Sequence, residues 1–377
     1  MRASAGDPAR RVKPSLATRT GLCDPAAARA MSTSQIVQTP RLAIHTLLAG
    51  PTTAPPVVLL HGNVSSSVFW EPLIDALAAN YRVIAPDLRG FGRTEARPID
   101  ATRGMRDFSD DLHALLLALD ITGPVHLLGW SAGAGVAMQF TIDHPAQVAG
   151  LVLESPVSPY GFGGTRGADG TPCHADYAGS GGGTANPEFV RLLAAGERGG
   201  DNAVAPRTVM NTCYFRPPFR VDEAREEAFV GSMLATRVGD DFYPGDLTPS
   251  PNWPGIAPGT RGMNNALSAK YLNVSALAQV EPRPPILWIR GTDDAIVGDA
   301  CLFDLGTLGK LGLVPGWPGD DVYPSQPMIT QTRAVLETYR ARGGRYDELV
   351  LSECGHSPHL ERPAAFLAAL HNFLAGN

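Results

Sequence analysis

Short aliphatic runs alternate with amphipathic segments along most of the chain from Ile36 onward. The runs are largely apolar at successive positions, which is typical of strands buried on both faces of a parallel sheet. The segments between them repeat apolar residues at helical spacing. The pattern therefore predicts an α/β fold, with a mostly parallel central sheet and helices on both faces. The predicted strands are residues 57–60, 81–85, 125–128, 148–153, 286–289 and 348–351, and the predicted helices are residues 68–79, 108–119, 132–142, 328–342 and 363–374.

The helix predicted over residues 108–119 carries its apolar side chains on one face. Charged side chains are seldom buried unless they are paired, so the opposite face of such a helix is expected to be solvated. The spacing therefore predicts that Asp110, Asp111 and His113 point outward.

The alternation stops between about Pro156 and Pro282, where Gly, Pro and Asn become frequent. A long irregular stretch between two regular parts is best explained as an insertion into one domain. We therefore interpret residues 157–282 as a cap or lid. The first part of the α/β core would then be residues 31–156, and the second part residues 283–377.

Residues 1–30 contain six basic side chains among Ala, Pro and Ser, and no apolar stretch follows that could serve as the core of a signal peptide. We expect this segment to be a disordered N-terminal extension. Because Met31 already begins a domain-like sequence, translation could start at Met1 or at Met31.

Composition narrows the classes of function. The net charge of the 377-residue chain is −6 and no dense Lys/Arg run occurs, which argues against nucleic acid as a partner. No apolar run approaches the ~20 residues of a membrane span. The five cysteines are widely spaced without a CxxC pair, which favours a reducing, cytoplasmic location and gives no metal cluster. The kind of partner that remains is a small-molecule substrate. The sequence does not indicate the oligomeric state.

A serine nucleophile is predicted at Ser131, within the sequence Gly-Trp-Ser-Ala-Gly of residues 129–133. This GxSxG motif follows a predicted strand and precedes a predicted helix, which is the context in which it forms a sharp turn that exposes the hydroxyl. Larger residues at the two glycine positions would clash in such a turn. The alternative is a glycine-rich turn whose serine only caps the helix.

A serine hydroxyl needs a base, and histidine is the side chain whose ordinary pKa lies nearest neutrality. Of the nine histidines, His356 follows the predicted strand 348–351 through a short loop with glycine immediately before it. We therefore choose His356 as the general base. His359 is the neighbouring alternative, although its position leads into the last helix.

An acid must orient the imidazole, and it should also lie at the carboxyl end of a strand. The predicted strand 286–289 leads into two adjacent aspartates, Asp293 and Asp294. We choose Asp294, because the loop around it has room to turn back toward the base. Asp293 and Asp299 are the alternatives, and each could instead be an ordinary turn residue.

The oxyanion of an acyl-transfer reaction requires two converging N–H groups. The residue after the nucleophile, Ala132, would supply one of them. The second should come from the loop after strand 57–60, where we choose Asn63 and keep Val64 as the alternative.

In these motifs the chain resembles the α/β-hydrolase superfamily, in the capped subgroup of esterases, lactonases and epoxide hydrolases. The matching segments are His-Gly-Asn at 61–63, Asp-Leu-Arg-Gly-Phe-Gly at 87–92, the GxSxG motif, Gly291 to Asp294, and the segment from Gly355 to Pro363. The resemblance implies the α/β-hydrolase fold with an inserted cap domain. His-Gly-Asn is similar to haloalkane dehalogenases, but those enzymes and the epoxide hydrolases use an aspartate nucleophile, and Ser131 argues against both.

The leading hypothesis is a serine hydrolase that cleaves a carboxylic ester or lactone of a small-to-medium, largely apolar substrate through an acyl-enzyme, without a cofactor. The same triad could cleave an amide, a thioester or a carbon–carbon bond. A non-catalytic ligand-binding receptor of the same fold is the alternative from another class. The sequence also shows a second insertion after Asp294, whose apolar residues should mainly pack, with some contact to the pocket: Phe303, Leu308, Leu311, Trp317 and Tyr323.

Overall fold

The computed structural model describes residues 32–376, so the extension expected at residues 1–30 lies outside the described residues. Its centre is an eight-stranded sheet. The strands of this sheet are β1 (Thr33–Gln38), β2 (Ala43–Ala49), β3 (Pro56–Leu60), β4 (Arg82–Pro86), β5 (Val125–Trp130), β6 (Val148–Glu154), β7 (Ile286–Gly291) and β8 (Tyr346–Leu351). The six strands predicted from the aliphatic runs are confirmed as β3 to β8.

The strand order is β1-β2-β4-β3-β5-β6-β7-β8. Strands β3 to β8 pair in parallel, and β2 runs antiparallel to both β1 and β4. The mostly parallel sheet is therefore confirmed. Strands β1 and β2 were not predicted. Strand β1 is a largely exposed polar strand at the sheet edge and carries no aliphatic run, and in β2 His45 and Thr46 interrupt the aliphatic residues.

Helices cover the sheet on both faces, as predicted. The helices are α1 (Glu71–Leu77), α2 (Arg106–Ala118), α3 (Ala132–Asp143), α4 (Pro187–Ala194), α5 (Pro206–Val209), α6 (Glu223–Leu234), α7 (Met263–Ala266), α8 (Leu305–Lys310), α9 (Met328–Ala341), α10 (Pro358–Glu361) and α11 (Pro363–Leu374). Alternate residues of β3 point to opposite faces: Val58 and Leu60 pack with α2, α3 and α9, whereas Val57 and Leu59 pack with α1 and α11. No helix of residues 32–376 is both long enough and apolar enough to span a membrane.

The expectation that Asp111 points to solvent is wrong. Its carboxylate accepts two hydrogen bonds from the guanidinium of Arg89, at 2.8 Å each, and one from Arg41 at 2.6 Å. Residue Asp111 is only 5% exposed. Two arginines on loops beside α2 neutralise the charge, and helix periodicity cannot reveal partners that come from elsewhere in the chain.

Residues 157–282 contain α4 to α7 and three short strand pairs. The pairs are Thr165–Arg166 with Thr171–Pro172, Val238–Gly239 with Tyr243–Pro244, and Leu247–Pro249 with Ile256–Pro258. Part of the segment packs into the core, because Met263 and Leu277 join the cluster beneath α3 and α9. The division of the chain at residues 157 and 282 stays a prediction.

Candidate active site

Ser131 lies at the carboxyl edge of the sheet, between β5 and α3. Its φ is +57°, an unusual conformation for a residue other than glycine. Its N–H donates to the carbonyl of Glu154 at the end of β6, at 2.9 Å. The paired ends of β5 and β6 therefore fix the position at which the chain turns, and Ser131 faces the open end of the sheet.

Three glycines make this turn possible. A Cβ at Gly129 would lie 2.4 Å from the carbonyl oxygen of Gly133, and one at Gly133 would lie 2.2 Å from the carbonyl oxygen of Leu60. A Cβ at Gly62 would lie 3.2 Å from that of Ser131. Backbone atoms cannot move aside as flexible side chains can. Glycine is therefore required at 129 because the turn folds closely onto the start of α3, and at 133 because the turn approaches the end of β3.

His356 lies in the loop between β8 and α10 and is 2% exposed. Its carbonyl accepts a hydrogen bond from the indole of Trp130 at 2.7 Å. The carboxylate of Glu361 accepts from the N–H groups of Gly355 and Ser357, at 3.0 and 3.2 Å. The loop is therefore held from both sides, which leaves the imidazole little freedom.

The structure places Asp294 directly behind this imidazole. Oδ2 of Asp294 lies 2.8 Å from Nδ1 of His356, and both side chains are almost fully buried. Oδ1 accepts from the N–H groups of Ile296 and Val297, at 2.8 and 2.9 Å. Both carboxylate oxygens are thus engaged, and the charge faces Nδ1 away from bulk water.

The alternatives considered for the base and the acid have other partners. Asp293 is exposed and pairs with Arg216 at 3.2 Å. Asp299 accepts from N–H groups at the start of α9. His359 is fully buried, with Nδ1 2.7 Å from Oε1 of Glu154. None of these groups occupies the position that Asp294 and His356 share.

Asn63 and Ala132 both line the cavity that contains Ser131. The N–H of Val64 donates to Oδ1 of Asn63 at 3.0 Å and is therefore already engaged. Among the described residues, the N–H groups of Asn63 and Ala132 have no such acceptor. The geometry thus leaves Asn63 and Ala132, and not Val64, with free donors at the cavity.

His61 supports the loop that carries Asn63. Its Nε2 accepts from the N–H of Leu88 at 2.9 Å, so Nδ1 carries the proton and donates to the carbonyl of Gly62 at 2.8 Å. Burial lowers the pKa of His61. A neutral imidazole therefore joins two loops at the sheet edge, in a structural position away from the cavity.

The cavity has a volume of about 380 Å³. Its wall is formed by Gly62, Asn63, Val64, Trp130, Ser131, Ala132, Val157, Phe162, Gly181, Thr184, Ala185, Asn186, Phe189, Ala203, Val204, Val209, Cys213, Tyr214, Tyr243, Asn264, Leu267, Ile296, Val297, Leu302, Phe303, Leu305, Leu308 and His356. None of these described lining residues is Asp, Glu, Lys or Arg. Among the described residues, no hydrogen bond joins the hydroxyl of Ser131 to His356, and such pairs often shorten only when substrate binds.

A family model described as the alpha/beta hydrolase fold matches residues 55–166. The cis-3-alkyl-4-alkyloxetan-2-one decarboxylase of Xanthomonas campestris pv. campestris is 36% identical over 121 residues, which are 30% of this chain and 40% of that protein. The chain spans about two fifths of the length of the first curated relatives it matches.

Solved structures match over nearly the whole chain. The esterase RhEst1 from Rhodococcus sp. ECU1013 has a TM-score of 0.57 and 22% identity, and the match covers 91% of this chain and 98% of that one. The chain therefore has the α/β-hydrolase fold. The carboxylesterase CesB from Bacillus subtilis gives a TM-score of 0.58 at 17% identity, covering 92% and 93%. The fold class and the resemblance expected from the sequence are confirmed.

The second insertion of the chain, which follows Asp294, contributes more to the cavity than the sequence predicted. Phe303 and Leu308 line the cavity, whereas Leu311 is exposed and Tyr323 is buried elsewhere. The wall also includes Leu302, which composition did not single out. Aromatic and aliphatic residues in an irregular segment give no periodic signal that separates pocket from packing.

Two further residues contact the Asn63 loop and were not found from the sequence. The hydroxyl of Tyr214 donates to the carbonyl of Asn63 at 2.9 Å, and Oδ1 of Asn264 accepts from Nδ2 of Asn63 at 3.0 Å. Both come from residues 157–282, where the pattern is irregular. No motif at either position could have indicated the contact.

Proposed function

We propose that the protein is a serine hydrolase of neutral carboxylic esters or lactones. The observation that carries the proposal is that Ser131 and His356 share one uncharged cavity, with Asp294 buried behind His356. A nucleophile, a base and an orienting carboxylate in this arrangement are what acyl transfer requires.

The proposed reaction begins when Nε2 of His356 removes the proton from Ser131 as Oγ attacks the substrate carbonyl. Asp294 stabilises the imidazolium that forms. The N–H groups of Asn63 and Ala132 donate to the oxyanion. His356 then protonates the leaving alkoxide, and a water molecule, activated by the same imidazole, releases the acid from the acyl-enzyme.

The cavity wall supports a neutral substrate. Burying an ion without a partner costs several kcal/mol, and away from His356 no described lining residue is Asp, Glu, Lys or Arg. Substrates that present a free carboxylate or ammonium to the wall are therefore disfavoured. The volume of about 380 Å³ is within the usual range for small-molecule sites and fits a small-to-medium apolar molecule. The oxetan-2-one named in the relative from Xanthomonas is itself a lactone.

The test is hydrolysis of p-nitrophenyl esters of graded acyl length, together with simple lactones and a p-nitroanilide. A butyrate ester and the monoester of succinic acid form a pair that differs in charge. We expect kcat/KM for the succinate to be at least ~100-fold lower, because its carboxylate would be buried without a partner. Equal rates for the two esters would contradict the proposed substrate class.

The nucleophile is tested with Ser131→Ala and a fluorophosphonate label mapped by mass spectrometry. Ser352→Ala changes an exposed serine on the loop before His356 and serves as the matched control. Label at Ser131, with turnover lost only in Ser131→Ala, is the expected result. Absence of both label and turnover in the wild type would favour the non-catalytic receptor.

The proposal also includes a role for residues 157–282 and a cellular location. Residues 157–282 would act as the cap over the cavity, and Phe189 and Val204 are among the lining residues that they supply. A cytoplasmic location is consistent with the four described cysteines, all of which are free. Limited proteolysis with and without a bound phosphonate would test whether the cap responds to the occupied site.

A further inference from the structure

The Asn63–Val64 peptide is held by two side chains that both come from residues 157–282. We propose that Tyr214 and Asn264 are positioning residues, which orient this peptide so that the N–H of Asn63 faces the oxyanion. The inference rests on the proposed function, because it concerns how the proposed oxyanion site is assembled.

Asn264 fixes the side chain of Asn63. Oδ1 of Asn264 accepts from Nδ2 of Asn63 at 3.0 Å, and Oδ1 of Asn63 accepts from the N–H of Val64 at 3.0 Å. An amide has a donor end and an acceptor end, so fixing the NH2 group on Asn264 directs the oxygen toward Val64. The N–H of Val64 is engaged in this way, and the N–H of Asn63 is left as the free donor of the loop.

Tyr214 fixes the backbone of the same peptide. Its hydroxyl lies 2.9 Å from the carbonyl oxygen of Asn63 and 3.2 Å from that of Val64, and it donates between them. Burial raises the pKa of Tyr214, so the hydroxyl remains a donor throughout the usual pH range. The carbonyl of Asn63 and the N–H of Val64 share one peptide plane, so holding the carbonyl fixes that plane. The N–H of Asn63 lies on the preceding plane, Gly62–Asn63, and its direction is constrained through the two backbone dihedral angles of Asn63.

The loop needs such support because Val64 has φ +47°. A β-branched residue in this region is strained, by about 1–3 kcal/mol, and keeps the conformation only when its surroundings enforce it. Without the two contacts, we expect Val64 to relax to negative φ. That change would rotate the adjoining peptides and turn the N–H of Asn63 away from Ser131.

Both supports are themselves well anchored. Asn265, the buried neighbour of Asn264 on α7, donates to the carbonyl of Asp246 at 2.8 Å and accepts from the N–H of Gly182 at 2.8 Å. Tyr214 ends a π-helical turn, Met210–Tyr214, and its ring packs against Trp130 with centroids 5.7 Å apart. Single π turns are frequent at functional sites, where they redirect side chains.

The test uses Tyr214→Phe, Asn264→Leu and the double variant in the full chain. Loss of one oxyanion donor typically lowers kcat by 10²–10³, and loss of its positioning should lower kcat by roughly 10- to 100-fold. We expect KM to change by less than about threefold. We also expect the affinity of a boronic acid transition-state analogue to fall by the same factor as kcat, while the affinity of an unreactive ether analogue of the substrate, which has no carbonyl oxygen, is retained.

The double variant should lose less than the product of the two single losses, because both residues act on the same peptide. Tyr271→Phe is the matched control, since the hydroxyl of Tyr271 also donates to a backbone carbonyl in residues 157–282, that of Gly259 at 2.9 Å, but does not line the cavity. It should retain kcat and analogue affinity within about twofold. If Asn264→Leu does not fold, Tyr214→Phe, which removes one oxygen atom, carries the test alone.

Unchanged kcat and analogue affinity in Tyr214→Phe would overturn the inference, as would an equal loss in Tyr271→Phe. If Ser131→Ala removes all turnover in the same series while the Tyr214 and Asn264 variants keep theirs, only the positioning inference fails. If Ser131→Ala retains turnover, the proposed function fails and the inference fails with it.

Discussion

Replacement of Asp294 by asparagine should reverse the polarity of the contact with His356. Oδ1 of Asp294 accepts from the N–H groups of Ile296 and Val297. An asparagine that keeps both bonds must place its oxygen there and point its NH2 group at Nδ1 of His356. Nδ1 must then accept, so the ring proton moves to Nε2, and Nε2 can no longer remove the proton of Ser131.

The expected loss is about 10⁴-fold in kcat, because the wrong tautomer predominates and no carboxylate stabilises the imidazolium. This factor corresponds to about 5 kcal/mol of transition-state stabilisation. The side chains of Asp294 and His356 are 4% and 2% exposed, so solvent screens the lost interaction little. The fold should survive, since the asparagine retains the shape and both backbone contacts.

The assay is steady-state hydrolysis of p-nitrophenyl butyrate, with melting temperature as a check on folding. Asp293→Asn is the matched control, because that side chain is 46% exposed and its ion pair with Arg216 contributes at most about 1 kcal/mol. It should keep kcat within about threefold. An Asp294→Asn variant with more than a tenth of wild-type kcat, or an equal loss in Asp293→Asn, would refute this account of the acid.

Three further predictions concern packing, the pocket and pH. Gly133→Ala places a Cβ 2.2 Å from the carbonyl oxygen of Leu60 and should lower the free energy of unfolding, measured in urea, by about 3 kcal/mol. The control Gly123→Ala has open space around the new Cβ and should change that free energy little. Leu308→Ala enlarges the cavity wall and should raise kcat/KM for long-chain esters relative to short-chain esters by about tenfold; an unchanged ratio would remove Leu308 from the substrate site. Burial lowers the pKa of His61 in the folded protein. Below about pH 6.5 the unfolded chain therefore binds a proton at His61 more readily than the folded protein does, and the free energy of unfolding falls as the pH falls. Between pH 7.5 and 5.5 the unfolding free energy should drop by up to about 1.4 kcal/mol through this residue, and a wild-type profile as flat as that of His61→Gln would contradict it.

The sequence predicted the parallel strands and the turn at Ser131 because both depend on local properties. A strand buried on both faces must be apolar at successive positions, and residues 57–60 of β3 and 148–153 of β6 are. The turn needs glycine wherever a Cβ would meet backbone atoms, and the GxSxG motif supplies it at Gly129 and Gly133. The exposed edge strand β1 lacks such a pattern, so only the structure revealed it.

The choice between Asp293 and Asp294 shows where local information ends. Both follow β7 at the correct edge of the sheet, and the sequence favoured Asp294 only from the expected direction of the loop. Adjacent residues point in different directions, and the bonds from Ile296 and Val297 hold Asp294 inward. The structure brings Asp294 to His356, and its catalytic role stays a proposal.

The sequence by itself determined the parallel part of the sheet, the helices that flank it and the positions at which reactive side chains leave the strands. Only the tertiary structure decided the environment of those side chains: the burial of Asp111 by two arginines, the uncharged cavity, and the contacts of Tyr214 and Asn264 with Asn63. The last two contacts join residues 151 and 201 positions apart. They depend on how an irregular segment packs against the core, and neither residue pattern nor spacing encodes a contact that closes so long a loop.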